Sequence, residues 1–187
     1  MAGCLVLVVG PSGAGKDTLI RLARAELAGD PRYVFPRRLV TRPPSGDEDN
    51  DEIDVAAFER GCAAGAFILH WRAHGLGYAI PAQAADLAAG GHMVVCNVSR
   101  RIVEEARAGG VPVSVVEVTA PPEILASRIA ARGRPEDGDL AARLAREARV
   151  RADLTILNTG APDEAAARLI AHLRACSSSS RRGGTTG

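Results

Sequence analysis

Apolar and polar positions along this chain fall into blocks of changing period, and the first block is the clearest. Leu5-Val6-Leu7-Val8-Val9 is an unbroken apolar run rich in β-branched residues, the pattern of a strand buried on both faces. After a glycine-rich gap, Leu19, Leu22 and Leu27 recur at helical spacing, predicting a helix to about Ala28 that Gly29-Asp30-Pro31 ends. A second strand is expected over 33–41, carrying Val34, Phe35, Leu39 and Val40. The alternation resumes further on: a buried-type strand over 92–98 around Met93-Val94-Val95-Cys96, a helix to about Ala108, a strand over 113–118, a helix over 121–132, a strand Leu154–Leu157 and a helix over 163–174. Strands separated by helices predict an α/β fold, a parallel five-stranded sheet with crossover helices on both faces.

Two stretches break the alternation. Pro43-Pro44-Ser45-Gly46 ends the second strand, and the acidic run Asp47, Glu48, Asp49, Asp51, Glu52 and Asp54 reads as a solvated surface loop. Asp54 is placed to cap a short helix through about Ala63, with Val55 and Phe58 facing inward. Residues 66–72 and 76–80 then read as two short extended pieces joined around His74-Gly75, so that 42–80 form an inserted lobe. Pro81 opens an alanine-rich helix that closes at Gly90-Gly91. The second interruption, Arg132-Gly133-Arg134-Pro135, precedes a helix from about Asp139 that carries Arg143, Arg146 and Arg149 along one face. Arg146 and Arg149 read as an exposed face paired with acids such as Glu147. Arg132, Arg134 and Arg143 flank the turn and are expected to form a lid over about 132–143. Residues 177–187 have nothing to bury and are expected to be a disordered tail, leaving one domain over 1–176.

Composition narrows the function less by what it favours than by what it removes. A net charge of +1 over 187 residues gives no electrostatic case for nucleic acid or an anionic membrane as partner. No stretch approaches the roughly 20 apolar residues of a spanning helix, and the N-terminal run, stopped by Gly10, is too short for a signal peptide. A cytoplasmic protein is expected, with Cys4, Cys62, Cys96 and Cys176 reduced because their spacing suggests no pairing. His70 and His74 have no third ligand nearby, so no zinc site is expected.

The gap after the first strand carries the chemistry. Gly10-Pro11-Ser12-Gly13-Ala14-Gly15-Lys16-Asp17-Thr18 has the spacing of the phosphate-cradling loop, between a strand and a helix as that loop requires. Glycines let the backbone N–H groups converge on a nucleotide's phosphates, and the helix adds its partial positive end. Of the 23 lysine and arginine residues, Lys16 is the one lysine; every other cation is an arginine. A slim ammonium fits between a backbone loop and the β and γ phosphates where a planar guanidinium does not. The loop by itself says only that a nucleotide is bound.

The order of loop, inserted lobe and arginine lid resembles that of nucleoside monophosphate kinases. Gly10 to Lys16, Thr41-Arg42-x-Pro44, Phe67-Ile68-Leu69-His70-Trp71, His74-Gly75-x-x-Tyr78 and the Arg128, Arg132, Arg143 lid resemble the guanylate kinases most closely. The departures redirect the substrate. His70 stands where those enzymes carry a guanine-reading glutamate, and Asp51-Glu52-Ile53-Asp54 lacks their tyrosine, so GMP would leave donors poorly paired. Asp17 replaces the usual metal-ligating hydroxyl, and Asn97 stands where an acid is common.

With Lys16-Asp17, His70-Trp71-x-x-His74-Gly75-Leu76-x-Tyr78 and Asn97-x-Ser99-Arg100, the chain resembles the ribose 1,5-bisphosphate phosphokinases of bacterial phosphonate breakdown. The resemblance implies transfer of the γ-phosphoryl group of ATP to ribose 1,5-bisphosphate, giving 5-phospho-α-D-ribose 1-diphosphate. It implies ATP at residues 10–18, with Arg128 and Asn158; independently, the negative charge that has moved from the strand end to the loop makes Asp17 the expected Mg2+ holder, directly or through water. The sugar bisphosphate would meet Arg37, Arg38, Thr41, Arg42, His70, Tyr78, Asn97, Ser99 and Arg100. Lys16, Arg132, Arg134 and Arg143 would neutralise the transferring group. A guanylate kinase, a kinase for another small phosphorylated metabolite, and a binding module without turnover remain the alternatives at this point.

Overall fold

The computed structural model describes residues 3–43, 50–132 and 150–179. The first strand, β1 (Cys4–Val9), lies at the centre of a five-stranded parallel sheet in the order β2-β7-β1-β8-β9, where β2 is Tyr33–Val34, β7 Met93–Asn97, β8 Val113–Thr119 and β9 Leu154–Leu157. Side chains alternate across a strand, so β1 feeds two cores. Val6 and Val8 pack with Leu19 and Ala23 of helix α1 (Lys16–Glu26), with Leu27 just after it, and with Leu169 and Leu173 of α6 (Pro162–Ser179). Leu5, Leu7 and Val9 pack on the other face with Ala84 and Ala88 of α3 (Gln83–Ala89), Ile102, and Val103 and Ala106 of α4 (Val103–Ala108). The expected parallel α/β sheet, covered on both faces, is therefore the observed one.

The lobe is a second sheet. β3 (Arg38–Val40), β4 (Asn50–Glu52), β5 (Phe67–Ala73) and β6 (Leu76–Pro81) pair in the order β4-β3-β6-β5. The continuous strand expected over 33–41 is thus two strands in two sheets, parted at Pro36, which has no N–H to continue a ladder. Part of the acidic run expected to be a solvated loop is instead β4, parallel to β3. β5 and β6 form a hairpin whose turn places both His74 (φ 54°) and Gly75 (φ 74°) in the left-handed region, as a two-residue primed turn requires. Leu69 and Ile80 reach from this sheet into the core behind β1, anchoring the lobe to the main sheet.

One side-chain orientation and two boundaries differ from expectation. Helix α2 (Val55–Ala64) is capped as expected, the Asp54 carboxylate accepting from the Ala57 N–H at 2.8 Å, and it buries Phe58; Val55, in the first turn, is 60% exposed. Pro81 ends β6 rather than opening α3. Helix α6 runs past 176 to Ser179, into the expected tail, because two serines find partners there. Ser177 is buried and accepts from the Arg32 guanidinium at 3.3 Å, and the Ser178 hydroxyl donates to the Arg174 carbonyl at 2.9 Å. The rest of that tail lies outside the described residues.

Candidate active site

The loop after β1 has the strained geometry its glycines permit. Gly10, Gly13 and Gly15 have φ of 141°, 79° and 89°. At Gly10 a Cβ would stand 1.9 Å from the Val118 carbonyl oxygen, and at Gly15 it would stand 2.5 Å from the Asn158 side chain. The loop thus fits against β8 and the end of β9 only without side chains. Lys16, the first residue of α1, folds back over it and donates to the carbonyls of Gly10 (2.8 Å) and Pro11 (2.9 Å). Its ammonium is held across the loop, where a polyphosphate would compete for it.

Neighbouring elements brace this loop. At the end of β9, buried Asn158 donates from Nδ2 to the Ala14 carbonyl at 2.8 Å, and Arg128, on helix α5 (Pro122–Arg132), donates to the Gly13 carbonyl at 3.4 Å. At the end of β7, Asn97 donates from Nδ2 to Asp17 Oδ1 at 2.7 Å. The Oδ1 atoms of Asn97 and Asn158 are buried and meet no donor among the described residues. Residues expected to contact ATP therefore converge on one loop, and Asn97, expected near the acceptor, joins the Asp17 side of it. Pro11 and Ala14 are buried in the loop, and Ser12 and Thr18 are half-buried beside it.

Beyond β7, the Ser99 hydroxyl oxygen accepts from the Arg101 N–H at 3.3 Å and caps a short 3-10 turn, Arg100–Ile102. Arg100 pairs at 3.3 Å with Glu117 of β8, both largely buried. Sequence reasoning missed Glu117, which sits among apolar strand residues.

In the second sheet the expected acceptor residues form another cluster. Arg37 donates to the Asn50 carbonyl at 2.9 Å and pairs with Asp51 at 2.7 Å. Arg38 donates from Nε to Asn50 Oδ1 at 3.1 Å and lies 5.2 Å from the centroid of the Tyr78 ring, which stacks on Trp71 at 5.3 Å with 6° between planes. Thr41 accepts from the Gly77 N–H at 2.8 Å, so its hydroxyl oxygen ties β3 to the hairpin. Arg42 follows, half-buried. His70 is exposed, its ring edge-on to Phe58 at 6.4 Å. Arg24 of α1 adds a fourth guanidinium: it donates to the Phe35 carbonyl at 3.2 Å, and burial together with nearby Arg37 pushes its pKa down. Of the expected lid, the backbone of Arg132 ends α5; Arg134 and Arg143 lie outside the described residues.

A phosphate loop at the carboxyl edge of a parallel sheet, beside a small second sheet that gathers arginines, defines a P-loop kinase. Guanylate kinase from Anaplasma phagocytophilum shares the fold, with a TM-score of 0.66 and 22% identity over 93% of this chain and 86% of that one. No protein-family model matches the chain.

Curated relatives are far closer in sequence. The ribose 1,5-bisphosphate phosphokinase PhnN of Methylobacterium radiotolerans is 80% identical over 176 residues, 94% of this chain and all of that protein. The enzyme of the same name from Bradyrhizobium diazoefficiens is 49% identical over 92% of this chain and 88% of its own length. The chain belongs to the ribose 1,5-bisphosphate phosphokinase family, and it is a nucleotide-using kinase. Among the described residues, no helix is long and apolar enough to cross a membrane.

Proposed function

We propose that this kinase transfers the γ-phosphoryl group of ATP to the 1-phosphate of ribose 1,5-bisphosphate, giving 5-phospho-α-D-ribose 1-diphosphate and ADP, a step of phosphonate breakdown. An oxygen of the acceptor's 1-phosphate forms the new P–O bond, and the bond from the γ phosphorus to the β–γ bridging oxygen breaks. The acceptor is already ionised near neutral pH, so no side chain has to remove a proton. Alignment and charge neutralisation carry the rate.

Each residue's part follows from what it touches. The N–H groups of 10–18, Pro11 excepted, and the positive end of α1 hold the polyphosphate, and Lys16 exchanges two carbonyls for the β and γ oxygens. Arg128 and Asn158 keep the loop in shape through the Gly13 and Ala14 carbonyls. Arg37, Arg38 and Arg42, with Tyr78 and Thr41 shaping their sheet, bind the acceptor's phosphates; Arg100, His70 and Ser99 complete the acceptor side. For Arg132, Arg134 and Arg143, whose side chains lie outside the described residues, the proposed role rests on the sequence alone: to neutralise the charge of the transferring group.

The donor set suits Mg2+. Asp17 places a carboxylate directly after Lys16 at the end of the phosphate loop, and the buried Asn97 Oδ1 beside it lacks a donor among the described residues, as an oxygen facing a hydrated cation would. Asp17 would hold the ion, directly or through water, and Asn97 would orient that carboxylate. When bound, the ion supplies charge neutralisation between the β and γ phosphates.

The observation that carries the acceptor assignment is the 80% identity to a relative of that name over its whole length. Its test is a phosphorus NMR experiment in which purified protein and Mg-ATP are incubated with ribose 1,5-bisphosphate or with GMP. A new diphosphate on the sugar is expected with the first acceptor. Formation of GDP, with the sugar bisphosphate left unconsumed, would overturn the assignment.

A further inference from the structure

Asn50 is one of the few buried polar side chains among the described residues, 3% exposed, in a three-residue strand that has no apolar side chain. A buried amide needs a reason, and here the reason is two arginines. Arg37 lies just before β3 and Arg38 opens it, and one residue of β4 holds them both. Asn50, opposite Arg38 in the ladder, holds both by different atoms: Oδ1 accepts from Arg38 Nε at 3.1 Å, and the main-chain oxygen accepts from Arg37 at 2.9 Å. The Arg38 plane is held a second time by the Tyr78 ring, which rests on Trp71. The Nε bond and the Tyr78 ring thus restrain the guanidinium at two places. Arg24 adds to the positive charge near Arg37.

We propose that Asn50 is a positioning residue for acceptor recognition, fixing the Arg38 fork so that its ordering is complete before a phosphate arrives. This rests on the acceptor site proposed above. A long arginine ordered only on binding loses rotamer freedom at that moment, and the loss weakens affinity; one ordered on folding does not. Among the described residues, no hydrogen bond given for Asn50 reaches the phosphate loop or its braces, so its effect is expected to fall on the acceptor and spare the nucleotide.

The test compares Asn50→Leu, which keeps the shape and removes the acceptor atom, with Asn50→Asp, which keeps an oxygen for Arg38. Turnover is measured against ribose 1,5-bisphosphate at saturating Mg-ATP, and nucleotide affinity is measured separately with a fluorescent ATP analogue. Asn50→Leu is expected to raise the acceptor KM by about tenfold, the loss of one charge-assisted hydrogen bond, with kcat and nucleotide affinity within twofold of wild type. Asn50→Asp should recover most of that loss. The double variant Asn50→Leu/Arg38→Ala should have an acceptor KM no higher than Arg38→Ala alone, since a residue acting through Arg38 has nothing left to act on. An acceptor KM unchanged in Asn50→Leu, equal losses for nucleotide and acceptor, or additive effects in the double variant would each overturn the inference. If Asn50→Leu does not fold, Asn50→Ala is measured against the same three criteria. A wild-type enzyme that leaves ribose 1,5-bisphosphate untouched would instead overturn the acceptor assignment, and the inference with it, before any variant is made.

Discussion

Replacing Asp17 by asparagine separates a metal-holding carboxylate from a merely structural one, because the two roles predict opposite signs in one measurement. The change preserves shape and leaves an oxygen to accept from Asn97, so the 2.7 Å bond persists in weakened, neutral form. Loss of charge assistance there costs about 1 kcal/mol of stability, a fall in Tm of about 2–4 °C for a domain of this size. The larger effect is electrostatic. A carboxylate and a divalent cation about 4 Å apart interact by about 8 kcal/mol at an effective dielectric constant near 20. Solvent and an intervening water reduce that to roughly 1.4–2.8 kcal/mol, or about 10–100-fold in magnesium affinity. Asp17→Asn is therefore expected to need about 10–100-fold more magnesium for half-maximal turnover. With the metal chelated, the sign reverses: the variant has lost a negative charge beside the phosphates, and free ATP should bind it several-fold more tightly than wild type. A magnesium titration of turnover and an equilibrium titration with a fluorescent ATP analogue in EDTA read the two halves. An unchanged magnesium requirement, together with weaker metal-free binding, would refute the reasoning.

Other expectations follow from single contacts. Lys16→Met removes the ammonium that spans the loop carbonyls and should lower kcat/KM for ATP by about 10²–10³, with little change in Tm. Gly10→Ala sets a Cβ 1.9 Å from a main-chain oxygen, a clash no rotamer relieves; destabilisation of about 2–4 kcal/mol and loss of nucleotide binding are expected in thermal melts and titrations. Cys96 is fully buried and its thiol is pushed up to about 12, so only about one in 10⁴ is thiolate at pH 8; it should resist a thiol-specific reagent until the protein is unfolded. Truncation after Cys176 removes the Ser177 and Ser178 hydrogen bonds and should lower Tm by a few degrees without altering KM for ATP.

The main sheet was legible because its strands are buried on both faces: runs such as Leu5 to Val9 admit little else, and the phosphate loop between strand and helix is a local signal. Its bracing was only partly so. Asn158 and Arg128 could be named from resemblance, but Asn158 lies 144 residues from the carbonyl it holds, a pairing no local pattern reveals. The second sheet was hidden for a different reason. β3 and β4 have three residues each, and Asn50-Asp51-Glu52 carries no apolar alternation, so an acidic loop and a strand read alike until a partner strand supplies the ladder. Asn50 was missed with it, its importance residing in what faces it. The serine run at 177–179 misled because composition alone favours disorder, whereas Arg32 and the Arg174 carbonyl give two of those serines partners.

Competition between acceptors tests the central claim most directly. With ribose 1,5-bisphosphate and GMP present together at equal concentration and Mg-ATP in excess, the ratio of initial rates gives the ratio of kcat/KM values. The account predicts a preference of at least about 10³ for the sugar bisphosphate, since the lobe gathers arginines and has His70 where a base-reading carboxylate would stand. A ratio near one, or a preference for GMP, would contradict it.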